Sequence, residues 1–215
     1  MITIIGDVHG KYKQYHEIIR QQDRYPYTLQ LGDFGFKYDT LKNVDSTRHL
    51  ILPGNHDNYH DCYSHSHFLG DYGYTSLNRL EFFYYRGAYS IDRQYRTIGV
   101  DWWEDEQVTI DQFMKARELY RTTKPKIVIT HDCPQSIASM MLRPDQKIYE
   151  NMTGWALNEL FNIHQPDLWI FGHWHNSRTI QYGNTKFICL DELETYDIVD
   201  AERFGIAGIP MNQLP

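Results

Sequence analysis

The hydrophobic residues of this chain gather into short runs, and each run stops at a polar turn. Ile2-Thr3-Ile4-Ile5 is the first, rich in β-branched side chains and read as a buried strand. Tyr27–Leu31, Arg48–Leu52, Lys126–Thr130 and Leu168–Phe171 repeat the pattern. Between the first two runs, Lys11–Gln22 sets Tyr12, Tyr15, Ile18 and Ile19 at helical spacing. Strand, helix and strand within about thirty residues make a βαβ unit. Thr109-x-x-Gln112 has the form of a capping box and predicts a helix to about Thr122, with Phe113, Ala116, Leu119 and Tyr120 inward. Thr153–Ile163 is a further predicted helix, and a short one is expected at Ile137–Met141 inside a polar loop. Arg178–Tyr182 and Thr185–Leu190 read as a hairpin around Gly183-Asn184. Glu81–Ile91 and Arg96–Val100 read as an antiparallel pair, and Asn58–Leu80 as an irregular excursion. The pattern predicts one domain over residues 1–200 and a loosely packed tail over 201–215. The fold class is α/β, a sandwich of mixed sheets flanked by helices.

The chemistry sits where the runs end. Ile5 leads into Gly6-Asp7-Val8-His9-Gly10, and Leu31 into Gly32-Asp33-Phe34-Gly35. Leu52-Pro53 leads into Gly54-Asn55-His56-Asp57, Thr130 into His131-Asp132, and Phe171 into Gly172-His173-Trp174-His175. Parallel sheets deliver functional groups to the carboxyl ends of their strands. The groups offered are carboxylate oxygen and imidazole nitrogen, which suit Mn, Fe, Zn or Ni. Asp33 has two oxygens and can bridge two ions, and ions about 3.5–4 Å apart would clamp a phosphoryl group. Asp7 with His9, and His173 with His175, lie two apart, so an extended segment would turn each pair to one side. Adjacent residues point apart, so His56 is expected to face the substrate, as proton donor to the leaving oxygen or to the charge of the transition state. The glycines are expected to permit tight turns and close backbone approach.

Asp7-x-His9, Gly32-Asp33, Gly54-Asn55-His56-Asp57, His131 and Gly172-His173-x-His175, in that order, resemble the calcineurin-like metallophosphoesterase superfamily. The resemblance spans residue 5 to about residue 190. It implies a four-layer αββα fold of two mixed β-sheets between helices. It implies one ion on Asp7, His9, Asp33 and His175, and another on Asp33, Asn55, His131 and His173. It also implies a bridging hydroxide that attacks phosphorus with His56 assisting. One departure stands out. Protein phosphatases of the superfamily carry Asp-Arg-Gly shortly after the second motif, where this chain has Gly32-Asp33-Phe34-Gly35-Phe36-Lys37-Tyr38-Asp39. The expectation is therefore a phosphoester hydrolase with two divalent ions, manganese foremost, acting on phosphodiester or nucleotide-type substrates. A protein phosphatase working on monoesters is the alternative. A non-catalytic scaffold of the same fold is a second, opposed by the filled ligand set. A nuclease with a partner ATPase would need a docking or DNA-binding extension that this chain does not display.

Composition narrows the partners. A net charge of -7 over 215 residues argues against a broad nucleic-acid grip, since phosphate backbones are held by Lys and Arg. Cys62, Cys133 and Cys189 are scattered, so no disulfide framework is expected, and Cys133 reads as a small buried residue. No leader and no membrane span is read, which points to a cytoplasmic protein. Lys37, Arg86 and Arg143 are candidates to hold a substrate phosphate. His60, His65 and His67 read as surface histidines rather than a third metal site, and Glu104, Asp105 and Glu106 as a solvated face. Trp102 and Trp103 could stack on a base, or pack at a sheet edge or oligomer contact.

Overall fold

The structure is a computed structural model that describes residues 1–21, 23–142, 147–199 and 207–210. Its elements in chain order are β1 (Ile2–Ile5), α1 (Tyr12–Ile19), β2 (Thr28–Gln30), β3 (His49–Ile51), α2 (Tyr59–Cys62), β4 (Tyr72–Leu77) and β5 (Leu80–Tyr85). They continue with α3 (Ile110–Thr123), β6 (Ile127–Thr130), α4 (Gln135–Met141), α5 (Met152–Ile163), β7 (Leu168–Phe171), β8 (Arg178–Tyr182), β9 (Thr185–Cys189), β10 (Thr195–Val199) and β11 (Ala207–Pro210). Two mixed sheets result. One has the order β11-β10-β1-β2-β3, with β1, β2 and β3 parallel and β10 antiparallel to β1. The other has the order β4-β5-β6-β7-β9-β8, with β5, β6, β7 and β9 parallel.

Alternation along the strands sorts the core into layers. Ile2, Ile4, Leu29 and Leu31 of the first sheet meet Ile127, Ile129, Leu168 and Ile170 of the second. The intervening residues Val128, Trp169 and Phe171 turn the other way, onto Phe113, Tyr120, Leu157 and Phe161 of α3 and α5. Ile5 and Ile51 turn outward onto Tyr15 and Ile19 of α1. Strands buried on both faces need mostly apolar side chains, and the buried polar exceptions Thr3, Thr28 and Gln30 each meet a partner, on Asp197, His49 and the Gly6 carbonyl. The layers are helix, sheet, sheet, helix, as expected from sequence. Thr109 caps α3 by accepting from the Gln112 amide, and Gln112 returns the bond to the Thr109 backbone. Among the described residues, no helix is long and apolar enough to cross a membrane.

One strand pairing differs from the expectation. β5 pairs with β4, not with residues 96–100. Asn78 and Arg79 join them with φ of 45° and 67°, the two positive values of a tight hairpin turn. Glycine, the usual second residue of such a turn, is absent, so the signal was faint. Residues 97–102 instead close on themselves, with Gly99 N–H donating to the Trp102 carbonyl and Val100 N–H to that of Thr97. β10 and β11 also went unread. Four residues of the predicted loose tail, Ala207–Pro210, form the edge strand beside β10.

Ile170 is fully buried between the two sheets. Ile170→Ala should lower the unfolding free energy by about 2–5 kcal/mol, read from the urea midpoint at unchanged slope. A shift below about 0.5 kcal/mol would contradict the layer assignment.

Candidate metal centre

The two sheets align so that the carboxyl ends of β1, β2 and β3 face those of β6 and β7. Asp7 follows β1, Asp33 follows β2, Asn55 and His56 follow β3, His131 follows β6, and His173 and His175 follow β7. The paired ligands do not sit on extended segments. His9, Asp33, His173 and His175 have φ of 46°, 52°, 63° and 45°, in the left-handed region that non-glycine residues rarely enter. Strain of this kind persists where the surroundings over-determine it, and here it falls on the residues that converge. Close backbone approach is the second device. A Cβ on Gly172 would strike Asp7 Oδ1, and one on Gly54 would strike Asp33.

Ligand atoms of Asp7, His9, Asp33 and His175 lie within 4.8 Å of one another, and so do those of Asp33, His131 and His173. Asp33 belongs to both groups. His9 Nε2 and His175 Nε2 face each other at 2.8 Å, and Asp7 Oδ2 lies 3.2 Å from the latter. Asn55 Oδ1 is 2.9 Å from His131 Nε2 and so joins the second group. His131 Nδ1–H donates to the Leu31 carbonyl at 2.8 Å, which leaves Nε2 pointing at Asn55 Oδ1 and, at 3.3 Å, Asp33 Oδ1. Only a positive charge reconciles that nitrogen with two oxygens, either a proton on the ring or a metal ion. Asp7 Oδ1 is buried with no hydrogen-bond partner among the described residues. An all-oxygen and nitrogen donor set with an orphaned carboxylate oxygen fits hard or borderline divalent cations.

The electrostatics agree. Burial works to neutralise Asp7, but His131, His175 and His9 outweigh it and hold the carboxyl at about 2. Burial opposes charge on Asp33 too, yet His131, His56 and His9 hold it well below the usual carboxylate range. His131, although buried, is pushed up to about 10 by Asp33 and Asp7. Outer contacts orient the groups: Asn55 Nδ2 donates to Ser90 Oγ at 2.9 Å, His173 N–H to Asp7 Oδ2 at 3.0 Å, and Glu192 Oε1 lies 3.6 Å from His175 Nδ1. Asp57 accepts from the Gly54 and Gly35 amides and braces the loop.

The chain between β5 and α3 closes one side. Ser90 N–H donates to Glu106 Oε1 and Trp102 Nε1 to Glu106 Oε2, so Glu106 is buried rather than part of a solvated face. A cleft of about 540 Å³ opens beside the two groups. Asp33, Asn55, His56, His173 and His175 line its floor, and Tyr89, Ile91, Asp92, Lys147, Tyr149 and Trp174 its walls. His56 N–H donates to Asp33 Oδ1 at 2.7 Å, while its ring stands 3.9 Å from Asp33 Oδ2 and faces the cleft. Burial and the neighbouring Arg96 hold that imidazole below its ordinary value, against the pull of Asp33.

Two of the three expected phosphate-holding cations, Arg86 and Lys37, do not line the cleft. Arg86 is buried, stacked 3.9 Å over the Tyr59 ring, with Nε on Asp71 and Nη1 on the Asp105 carbonyl. Its charge is consumed in the fold. Lys37 is exposed and does not line the cleft. Arg143 lies outside the described residues. Sequence reasoning missed Arg96, Lys147 and Trp174. Arg96 and Lys147 lie far along the chain from the motifs they approach, which leaves no local signal, and Trp174 fills the unspecified place between His173 and His175. His67 is buried, its Nε2 on the Val44 carbonyl, not on a surface. The Trp103 ring packs 5.0 Å from that of Phe36.

A family model described as calcineurin-like phosphoesterase matches residues 1–177. Comparison with curated proteins by sequence gives no significant match. Among solved structures, a putative 5'-nucleotidase from Staphylococcus aureus aligns over 97% of this chain and 52% of its own, with TM-score 0.54 and 14% identity. This chain thus spans about half of that protein. A dimetal phosphatase from Danio rerio aligns over 91% of this chain and 92% of its own, with TM-score 0.53 and 12% identity. An archaeal phosphodiesterase aligns over 98% and 99%, with TM-score 0.50 and 12% identity. At these identities the likeness is one of fold.

Arg86→Ala should cost about 3 kcal/mol of stability, the low end for breaking a buried pair because Asp71 stays partly wet. KM for a phosphoester should change less than twofold. A large rise in KM at unchanged stability would restore Arg86 as a substrate contact.

Proposed function

We propose, from the premise that this chain belongs to the calcineurin-like phosphoesterase family across residues 1–177, that it hydrolyses phosphoesters with two divalent metal ions held at the converging strand ends. The observation that carries this reading is the place of Asp33 in both groups of possible ligands. One ion would be held by Asp7, His9, Asp33 and His175, and the other by Asp33, Asn55, His131 and His173. When bound, such ions supply Lewis acidity toward phosphoryl oxygens and lower the pKa of water near neutral pH. The protein's own groups do the remainder. The Leu31 carbonyl fixes the His131 tautomer, Ser90 turns the Asn55 oxygen inward, and Glu192 braces His175. In the reaction one P–O bond forms to the oxygen of water while the bond to the leaving oxygen breaks. His56, at the floor of the cleft, is the catalytic residue that gives that leaving oxygen a proton.

The substrate is a phosphodiester or a nucleotide-type ester. Two features support this. No Asp-Arg pair stands in the stretch Gly32–Asp39 around Asp33, and the cleft extends from Asp33 and His56 to the rings of Tyr89, Tyr149 and Trp174. A second ester substituent has room there, and a flat ring stacked on such side chains gains about 1–3 kcal/mol. Manganese is the metal of choice for the test because the donors are oxygen and nitrogen throughout.

Asp33→Asn should remove both ions, read by elemental analysis, and lower kcat/KM at least about a thousandfold, equivalent to about 4 kcal/mol. Full turnover in that variant would sink the two-ion reading. Separately, manganese-loaded protein should show higher kcat/KM on bis-p-nitrophenyl phosphate than on p-nitrophenyl phosphate. Activity confined to the monoester would overturn the diester assignment and leave the metal centre standing.

A further inference from the structure

β2 carries a long polar side chain where its neighbours are apolar. Gln30 pairs in register with Ile5 of β1 and Ile51 of β3, and those two face the α1 layer. Side chains level with one another in a sheet leave on the same face, so Gln30 enters that layer as well. It is fully buried. Its Nε2 donates to the Gly6 carbonyl at 3.2 Å and to the Gly32 carbonyl at 2.5 Å. Carbonyl oxygens only accept, so the nitrogen end of the amide is the one that faces them. The other end, Oε1, is buried with no hydrogen-bond partner among the described residues.

The place of the two carbonyls decides what the contact does. The Gly6 oxygen belongs to the peptide that leads into Asp7, and the Gly32 oxygen to the peptide that leads into Asp33. A peptide unit is planar, so holding its oxygen sets the direction of the next Cα. Both planes follow a glycine, the residue that restricts them least, and Gly32 stands at a φ of 112°. One amide therefore grips the chain just ahead of each buried carboxylate. Farther on, the Val8 and His9 amides donate to the Asp33 carbonyl at 3.3 and 2.7 Å. Asp7 is thus held between two ties to the second loop, one before it and one after.

The simpler account is that Gln30 meets two carbonyls in order to steady the sheet. The backbone already pairs the strands there, with the Leu31 amide on the Ile5 carbonyl and the Leu52 amide on that of Gln30. The unmet Oε1 also opposes part of any gain in stability. What backbone pairing does not do is fix the two aspartates relative to each other. That separation matters to one group of ligands only. Asp7 and Asp33 both belong to the group with His9 and His175, whereas the group with His131 and His173 takes Asp33 alone.

We propose, resting on the two-ion reading above, that Gln30 is a positioning residue that sets the separation of Asp7 and Asp33. It thereby sets the affinity of the group that needs both carboxylates, and the other group does not depend on it.

The test titrates manganese into metal-free wild type and Gln30→Met, which keeps the length of the side chain and loses both donors. Bound ions are counted by elemental analysis. Wild type should take two. Gln30→Met should hold one at near wild-type affinity and bind the other about 10–100-fold more weakly, the range for losing an orienting partner. Leu157→Ala, buried in the helix layer around α5, controls for lost stability and should bind both ions as wild type does. In an Asp7→Asn background Gln30→Met should weaken binding no further, because the carboxylate it positions is gone. Unchanged affinities in Gln30→Met, equal weakening of both ions, or the same loss in Leu157→Ala would mean a brace and overturn the proposal. Gln30→Glu keeps the shape and, buried and protonated, one donor. Should Gln30→Met fail to fold, selective weakening of one ion in Gln30→Glu supports the proposal, and unchanged or equal affinities overturn it. If wild type takes fewer than two ions, the two-ion reading falls, and the role of Gln30 with it.

Discussion

Two carboxylates buried together, Asp7 and Asp33, are the constraint on which the rest of this molecule turns. An isolated carboxylate taken out of water costs many kcal/mol unless it is compensated. Compensation by hydrogen bonds alone is incomplete here, since Asp7 Oδ1 has no donor among the described residues. The imidazole of His131 is fully buried between the two carboxylates, whose charges favour a proton on its ring or a cation beside it. Imidazoles can give up that role to a metal ion, and carboxylates cannot do without some cation. A centre of this kind stores its binding energy in advance, as unmet electrostatic demand.

That demand explains the backbone. Packing two sheets face to face with their carboxyl ends together leaves little room, so Gly54 and Gly172 stand where any Cβ would meet the carboxylate of Asp33 or Asp7. His9, Asp33, His173 and His175 take left-handed conformations that cost of order 1–3 kcal/mol each. The apolar layer between the sheets, with Ile4, Leu29, Ile129 and Ile170 at its centre, is large enough to carry that cost. The strain is concentrated at the turns, and the strands that hold them are regular and fully buried.

The segment between β5 and α3 plays a different part. It has little regular structure, yet its polar groups are satisfied inwardly. Tyr59 Oη donates to the Gly54 and Glu106 carbonyls, Glu106 accepts from Ser90 and Trp102, and Gly87 N–H donates to the Pro53 carbonyl. Ordering a loop this way costs conformational entropy, and buried polar contacts repay it only if each is met. The return is a wall for the cleft and a guanidinium placed beside His56.

The chain's own order of residues was enough to determine the α/β class, most of the strands, the capped helix α3 and the strand-end motifs. Those features are local: apolar runs have a period, caps have a spacing, and a glycine next to Asp or His marks a turn. Tertiary structure alone decided which groups met. Arg86 and Arg96 are the same residue type ten positions apart, yet one is consumed by Asp71 and Tyr59 while the other faces His56. Glu106 and Asp105 are neighbours in an acidic run, and Glu106 is the one turned inward. His173 and His175 fall into different ligand groups because left-handed turns, not an extended strand, carry them. A side chain's partner is set by contacts across tens of residues, and neither periodicity nor composition records those contacts.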